Sequence, residues 1–337
     1  MKLWRATLYD ESVSSADAAF LAAFLVVLFK DNAIFGERFF VRIEEVFRLL
    51  SRLNLPKSST RLCASRARAL SLSLACEPCM KLSVLIPVWN EGATLLEILE
   101  QVRAVPVEKE IILVDDGSTD GTRDILQSLI ESGQAQDENG NVKDGNVKDG
   151  NVENNDLDLR IVLQEHGGKG VAVRRALSLA RGDWIIVQDA DLEYDPNDFV
   201  RLLAFAQKKR GRCVAVFGTR LLKGSPSRAN QAQHSRTAFY YGRIGLSVWF
   251  RVLYGAPVSD VATCYKMVRR DVLQSFDLRG RGFELDFEIA ARLARSGHRI
   301  WEVPVWYQPR SVLEGKKIKV VRDGLRAAWT LLKLRFL

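Results

Sequence analysis

Two carboxylates one residue apart, Asp189 and Asp191, with a third at Glu193, follow directly on the apolar run Trp184-Ile185-Ile186-Val187. Such a run reads as a buried strand, so the acidic residues stand where the chain leaves the sheet. Residues at i and i+2 of an extended chain share a face, which aims Asp189 and Asp191 at one point. Two ionised carboxylates held that close repel unless a cation stands between them. Oxygen ligands of this kind suit Mg2+ or Mn2+, with phosphate supplying further positions. The same residues also read as a strand followed by an Asp-rich turn, since Asp195-Pro196 is a good turn former. The Asp-x-Asp pattern alone favours the turn, and the segments that precede it reverse that preference.

From Lys81 onward strands and helices alternate. The strand Leu82–Pro87 leads to a helix at 93–102, and the strand Glu110–Val114 leads to a helix at 119–132 capped by Ser118 or Thr119. The strand Arg160–Gln164, a helix at 170–181 and the strand Trp184–Gln188 complete the series. This alternation implies a parallel sheet covered on both faces, with ligands at the carboxyl ends of the strands. Those ends carry Pro87-Val88-Trp89-Asn90-Glu91, then Asp115-Asp116-Gly117-Ser118-Thr119-Asp120, then the acidic cluster at Asp189. An acidic loop after the second strand can accept hydrogen bonds from a ribose or a base. The first loop lacks the GxGxxG pyrophosphate turn, which counts against a dinucleotide-binding dehydrogenase. Asp120 reads as a helix-capping residue.

Composition sets the outer bounds. The chain has 337 residues, 47% of them hydrophobic and 27% charged, enough for one large domain or two small ones. Its formal net charge of +8 favours anionic partners without choosing among them. Nucleic acid is not indicated, because no recognisable binding module is present and the basic residues cluster in the tails. Five cysteines, an odd and scattered set, suit a reducing compartment, and the lone Cys76-x-x-Cys79 lacks partners for a zinc site. The longest uncharged apolar run, Ala18 to Phe29, is too short to span a bilayer. Residues 1–79 form an extension of different character, read as poorly ordered or peripheral helices. Its basic stretch from Arg48 to Arg68 admits a membrane-surface arm, a disordered leader or an unfolded upstream segment. A polar, repetitive insert at 133–158, in which GNVKD recurs, reads as a surface loop.

Taken together, IPVWNE, VDDGSTDGT, HGGKG and QDADLEYDP resemble the family 2 glycosyltransferases of GT-A fold. More narrowly they resemble the dolichyl- or polyprenyl-phosphate mannose synthase branch, in the short form without a transmembrane anchor. FGTRLLKG, SDVATCYKMVRRDVL, GRGFELDFEIAARL and EVPVWYQPR with EGKKI continue the likeness over roughly residues 81 to 325. The extension and the GNVKD insert have no counterpart in the family pattern.

The resemblance implies an α/β catalytic domain at 80–325 with a mostly parallel central sheet flanked by helices. It implies a nucleotide-sugar site lined by Pro87, Asn90, Glu91, Asp115, Asp116, Lys169, Gly170, Asp189 and Lys317. Lys169 and Gly170 open a helix suited to ribose or phosphate. A metal, Mg2+ or Mn2+, would be held by Asp189 and Asp191, with Glu193 a third candidate. Acceptor phosphate would meet Arg220, Arg236 and Arg243, arginine being suited to paired donation. Arg310, Lys316 and Lys317 resemble a basic loop that closes over the diphosphate.

The implied reaction is a single displacement at the sugar C1 with inversion, in which Asp191, Arg220, Glu284 and Asp286 are the catalytic candidates. The donors are GDP-mannose or UDP-glucose, and the acceptor is a polyprenyl or dolichyl phosphate reached by peripheral contact on the cytoplasmic face of the membrane. A phosphate monoester, with a second pKa of about 6, attacks unaided, whereas a sugar hydroxyl needs a carboxylate base such as Glu284 or Asp286. Transfer to a hydroxyl of a polysaccharide or glycolipid is therefore the alternative. Glu284 and Asp286 also read as capping their helix and pairing with Arg281 or Lys266. The tail at 318–337 is an amphipathic basic helix that either packs on the core or lies on a membrane.

Overall fold

The structure, a computed structural model, describes residues 80–142, 158–209, 211–221, 238–310 and 320–336. Every described residue belongs to one compact unit, Cys79–Leu337. The expectations for residues 1–79, for the repeats at 143–157, and for Arg236, Lys316 and Lys317 lie outside the described residues.

Among the described residues a seven-stranded sheet has the order β3-β2-β1-β4-β6-β5-β7. The strands are β1 (Leu82–Val88), β2 (Lys109–Asp116), β3 (Leu159–Gln164), β4 (Trp184–Val187), β5 (Ala215–Thr219), β6 (Lys266–Arg269) and β7 (Ile300–Pro304). All neighbours run parallel except β6, which is antiparallel to both β4 and β5. The expected mostly parallel sheet is therefore present, with one reversed strand.

Chain direction across the sheet explains where a ligand site can lie. The chain steps from β1 outward through β2 to β3, then returns to β4 on the other side of β1. The β1–β4 junction is thus a switch point, and loops diverging there leave a crevice at the carboxyl ends. Pro87 is tolerated in this central strand because β1 pairs with β4 only from Leu82 to Leu85.

The helices are α1 (Leu95–Ala104), α2 (Thr122–Glu131), α3 (Lys169–Leu179), α4 (Asp198–Lys208), α5 (Ala238–Tyr254), α6 (Arg270–Gln274), α7 (Glu284–Arg295) and α8 (Val320–Phe336). In α1 the buried residues Leu95, Ile98, Leu99 and Val102 recur at helical spacing and press one face on the sheet. Tyr265, Phe199, Phe217 and Phe250 are completely buried. Burying each aromatic of this size contributes about 3 kcal/mol.

Two boundaries differ from the sequence reading. Helix α2 starts at Thr122, not at Thr119, behind Gly121 in a left-handed conformation. Ser118 and Thr119 are drawn instead to the first loop, where Ser118 Oγ accepts from Asn90 N and Thr119 N donates to Asn90 Oδ1. Asp120 does the capping, its Oδ1 accepting from Thr122 N at 3.0 Å. The start of the insert is also built into the fold. Ala135 is fully buried, and Gln136 exchanges backbone hydrogen bonds of 2.9 Å with Leu159 and Ile161 beside β3.

Among the described residues the C-terminal helix packs on one side only. Tyr254 Oη donates to Leu331 O at 2.7 Å and Arg335 Nε to Leu253 O at 2.8 Å, joining α5 to α8. Arg295 of α7 reaches Leu334 O. Ala327 and Leu331 are buried, while Leu325, Trp329 and Phe336 remain exposed. No helix among the described residues is long and apolar enough to cross a membrane.

Candidate active site

The loops after β1 and β2 are tied to each other before any ligand arrives. Asn90 takes a left-handed backbone (φ 53°), and its amide brackets Ser118 and Thr119 as described above. Glu91 N donates to Thr122 Oγ1 at 3.1 Å. Asp115, wholly buried, accepts from Ser118 N at 3.2 Å and pairs with Arg123 Nε at 2.8 Å. Its carboxylate shapes the turn from underneath.

Asp116 holds a second loop in place. Its Oδ1 accepts from Gln164 Nε2 at 2.7 Å and Gly167 N at 2.8 Å. Its Oδ2 accepts from Gly168 N at 2.9 Å and lies 2.9 Å from His166 Nδ1. Both oxygens are therefore engaged by the segment that starts α3. His166 Nδ1 also lies 3.0 Å from Asp116 O. Its ring stacks on Trp89 with centroids 4.8 Å apart. Neither His166 nor the Trp89 contact was signalled by the motif reading.

The α3 N-terminus is less open than its Gly-Lys-Gly sequence suggests. Gly170 N donates to Arg281 O at 2.8 Å, and a Cβ on Gly170 would meet Gly280 O at 2.4 Å. Glycine here permits close packing against the 280–281 backbone, and the Gly170 N–H expected to hold a ligand is already bound.

Lys169 points into the centre of the site. Its ammonium sits 2.7 Å from Asp189 Oδ1 and 3.6 Å from Asp286 Oδ2. Burial pulls its pKa down, but Asp189 and Asp286 outweigh that and hold it well above the ordinary lysine value. For Asp189 burial pushes upward, and Lys169 overcomes it to keep the carboxyl below its usual range. Asp286 also lies 3.5 Å from the buried Lys266. Glu284 Oε1 accepts from the backbone N–H groups of Arg281 and Gly282, each at 3.0 Å. Glu284 is thus engaged at the start of its own helix, and Asp286 lies beside Lys169 and Lys266.

The acidic loop spreads its carboxylates. Asp189, Asp191 and Glu193 do not converge as a three-carboxylate set. Among the described residues no group of three His, Cys, Asp or Glu side chains is arranged to hold a metal ion. Leu192 takes a left-handed backbone (φ 57°), which breaks the extended geometry and turns Glu193 away. Glu193 Oε2 accepts from Tyr307 Oη at 2.7 Å and Oε1 from Arg310 N at 2.8 Å. It ties the segment after β7 to the acidic loop. Arg310 extends the tie: its Nε donates to Asp191 O at 2.6 Å and its guanidinium contacts Glu91 Oε2 at 3.2 Å. Burial, then the charges of Asp189 and Glu193, push Asp191 up to about 7.

A divalent cation fits this donor set at Asp191 and Asp189, as one or two carboxylates completed by phosphate oxygens. Asp191 carries a charge that its surroundings oppose, and a cation would relieve it. Glu193 is engaged instead by Tyr307 Oη and Arg310 N.

On the other side of the sheet end, Arg220 follows β5. Its Nε and Nη2 donate to the two oxygens of Asp260 at 2.7 and 2.8 Å, and its guanidinium lies 4.7 Å from the Tyr307 ring centroid. Arg243, on α5, packs over Tyr240, and its buried Nε has no hydrogen-bond partner among the described residues. Burial and then the neighbouring Arg220 hold the Arg243 pKa below its usual value. Asp260 pairs with Arg220 through both oxygens and acts on Arg243 through its charge alone.

Comparison with known proteins agrees with this architecture. The description of glycosyl transferase family 2 matches residues 83–276. An undecaprenyl-phosphate mannosyltransferase of Micrococcus luteus is 29% identical over 271 residues, spanning 76% of this chain and 99% of that protein. Glycosyltransferase AglJ of Haloferax volcanii is 22% identical over 72% of this chain and 67% of its own length. Among solved structures, glucosyl-3-phosphoglycerate synthase of Mycobacterium tuberculosis superposes with a TM-score of 0.54 at 18% identity, covering 77% of this chain and 82% of that one. The same enzyme in complex with Mn2+, uridine diphosphate and phosphoglyceric acid gives a TM-score of 0.52 at 17% identity over 77% and 79%. The chain belongs to the family 2 glycosyltransferases and has the GT-A fold.

Proposed function

We propose that this chain is an inverting hexosyltransferase that moves mannose or glucose from GDP-mannose or UDP-glucose to a polyprenyl or dolichyl phosphate at the cytoplasmic face of a membrane. The observation that carries the acceptor class is the Arg220–Asp260–Arg243 cluster. Asp260 neutralises one guanidinium, which leaves the cluster with a net positive charge and a buried Arg243 donor that no described residue engages. A phosphate monoester supplies the complementary charge and acceptor atoms. The similarity to an undecaprenyl-phosphate mannosyltransferase supports the same class.

The chemistry follows from what the side chains are free to do. Glu284 is spent on two backbone N–H groups and Asp286 on two lysines, which leaves neither poised to deprotonate a hydroxyl. A phosphate oxygen needs no such base. Arg243 and Arg220 orient the acceptor oxygen for attack on the sugar C1. Lys169, held between Asp189 and Asp286, provides a positive charge beside the leaving diphosphate. Asp191 and Asp189 would hold Mg2+ or Mn2+, which supplies further charge neutralisation as the C1–O bond breaks. Crystals of the structural neighbour with Mn2+ and with Mg2+ support divalent metal use.

The test is a radiolabelled transfer assay with GDP-mannose and UDP-glucose against a short polyprenyl phosphate in detergent, with and without Mn2+. Transfer to the phosphorylated lipid and none to the matching prenol is expected. Tight nucleotide binding without transfer to lipid phosphate from any nucleotide sugar would refute the reading.

A further inference from the structure

Helix α5 presents an outward stripe at helical spacing: Tyr241, Gly245, Val248 and Val252. Tyr241 is 62% exposed, Val248 47% and Val252 71%. The adjoining α8 presents Leu325, Trp329 and Phe336, exposed by 67%, 61% and 72%. Trp249 bridges the two stripes, since its indole Nε1 donates to Ala328 O at 3.3 Å while the ring stays 37% exposed. Large apolar side chains grouped this way on two packed helices form a continuous patch, and such patches mark contact surfaces.

Charge on the same helices narrows the occupant. Helix α5 contains no acidic residue and carries Arg251; α8 carries Arg322, Arg326, Lys333 and Arg335. The single carboxylate, Asp323, is buried and paired with Arg322 at 3.2 Å. An apolar stripe flanked only by cations complements a surface that is apolar beneath and anionic at its edge. Tryptophan and tyrosine, apolar with a polar tip, suit that boundary. A second copy of the chain is a poorer match, because a two-fold contact would set these arginine and lysine rows against themselves. Resting on the lipid-phosphate reading above, we propose that the joint face of α5 and α8 docks on an anionic lipid bilayer. The same helix carries Arg243, about half a turn round from the stripe.

The test is flotation of the full chain with phosphatidylcholine vesicles and with vesicles containing phosphatidylglycerol. Wild type is expected to float with the anionic vesicles. Combining Val252→Glu, Leu325→Glu and Trp329→Glu is expected to weaken this by about tenfold or more, because three buried apolar contacts are lost and anionic repulsion is added. Arg326→Glu with Lys333→Glu, which keeps the apolar stripe, is expected to abolish the preference for anionic lipid. Donor-nucleotide binding and transfer to the short acceptor in detergent should remain unchanged in both variants, which establishes folding. Unchanged flotation of the triple variant, or of the charge variant if the triple does not fold, would overturn the proposal. So would a triple variant that converts a dimer to a monomer while still binding vesicles. Failure of wild-type transfer in detergent would instead strike at the reaction, leaving the docking result to be read separately.

Discussion

Arg220 and Arg243 are assigned to the same anion, yet replacing them should affect folding in different ways. Arg220 saturates Asp260, a carboxylate with 0% exposure. Arg220→Met strands that charge, which costs about 3–5 kcal/mol and, at about 2–4 °C per kcal/mol for a domain this size, lowers Tm by roughly 10 °C. Arg243 is opposed by burial and by Arg220, and its Nε donates to nothing among the described residues. Arg243→Met keeps the packing on Tyr240 and removes an uncompensated donor, so Tm should hold or rise slightly. A charge-assisted hydrogen bond contributes about 2 kcal/mol, roughly a 30-fold change.

The expected signature of Arg243→Met is therefore an acceptor kcat/KM about 30-fold lower with donor KM and Tm unchanged. It is read by titrating short polyprenyl phosphate at saturating nucleotide sugar, alongside thermal unfolding of both variants. An Arg243→Met Tm that falls as far as that of Arg220→Met would refute the reasoning, since it would mean Arg243 is a structural cation. So would an acceptor kcat/KM within about twofold of wild type.

Glu193→Gln should leave the Mn2+ dependence of nucleotide binding intact while costing about 1–3 kcal/mol of stability through the lost tie to Arg310, whereas Asp191→Asn should abolish the Mn2+ dependence; calorimetric titration separates the two. Gly170→Ala should lower Tm, because its Cβ would meet Gly280 O at 2.4 Å. Gly245→Ala, whose Cβ meets nothing within 4 Å, should hold or raise Tm, with up to about 1 kcal/mol from helix propensity. Glu284→Gln should keep phosphate-acceptor turnover within about tenfold of wild type, while a general base would lose about 100- to 10,000-fold; single-turnover rates decide.

Strands β1 to β4 were legible because a parallel strand buried on both faces reads as one apolar run, and their loops were legible by composition. Strand β6 was not. It is four residues long, begins with Lys266 and ends with Arg269, and exists because β4 and β5 flank it from either side. The site followed the same division. Which residues converge at the sheet edge could be read from strand-end position, but what each carboxylate does there could not. The donors to Asp116 come from residues 48 to 52 positions downstream, and those to Glu193 from 114 and 117 positions away. A local pattern cannot distinguish an acid kept for a ligand from one spent on a distant N–H.

The acidic loop shows why that distinction matters. An extended strand would place Asp189, Asp191 and Glu193 on one face, but β4 ends at Val187 and Leu192 turns the chain into a left-handed conformation. Each carboxylate then meets a different environment: Asp189 is neutralised by Lys169, and Glu193 is consumed by Tyr307 and the Arg310 N–H. Asp191 is left buried beside two like charges, and burial first, then the charges of Asp189 and Glu193, raise its pKa to about 7. Among the three it is the position where a divalent cation gains most, because binding there removes a repulsion the fold has already built in. The left-handed Leu192, sparsely allowed for a branched side chain, is the backbone feature that sorts one ligand from one strut.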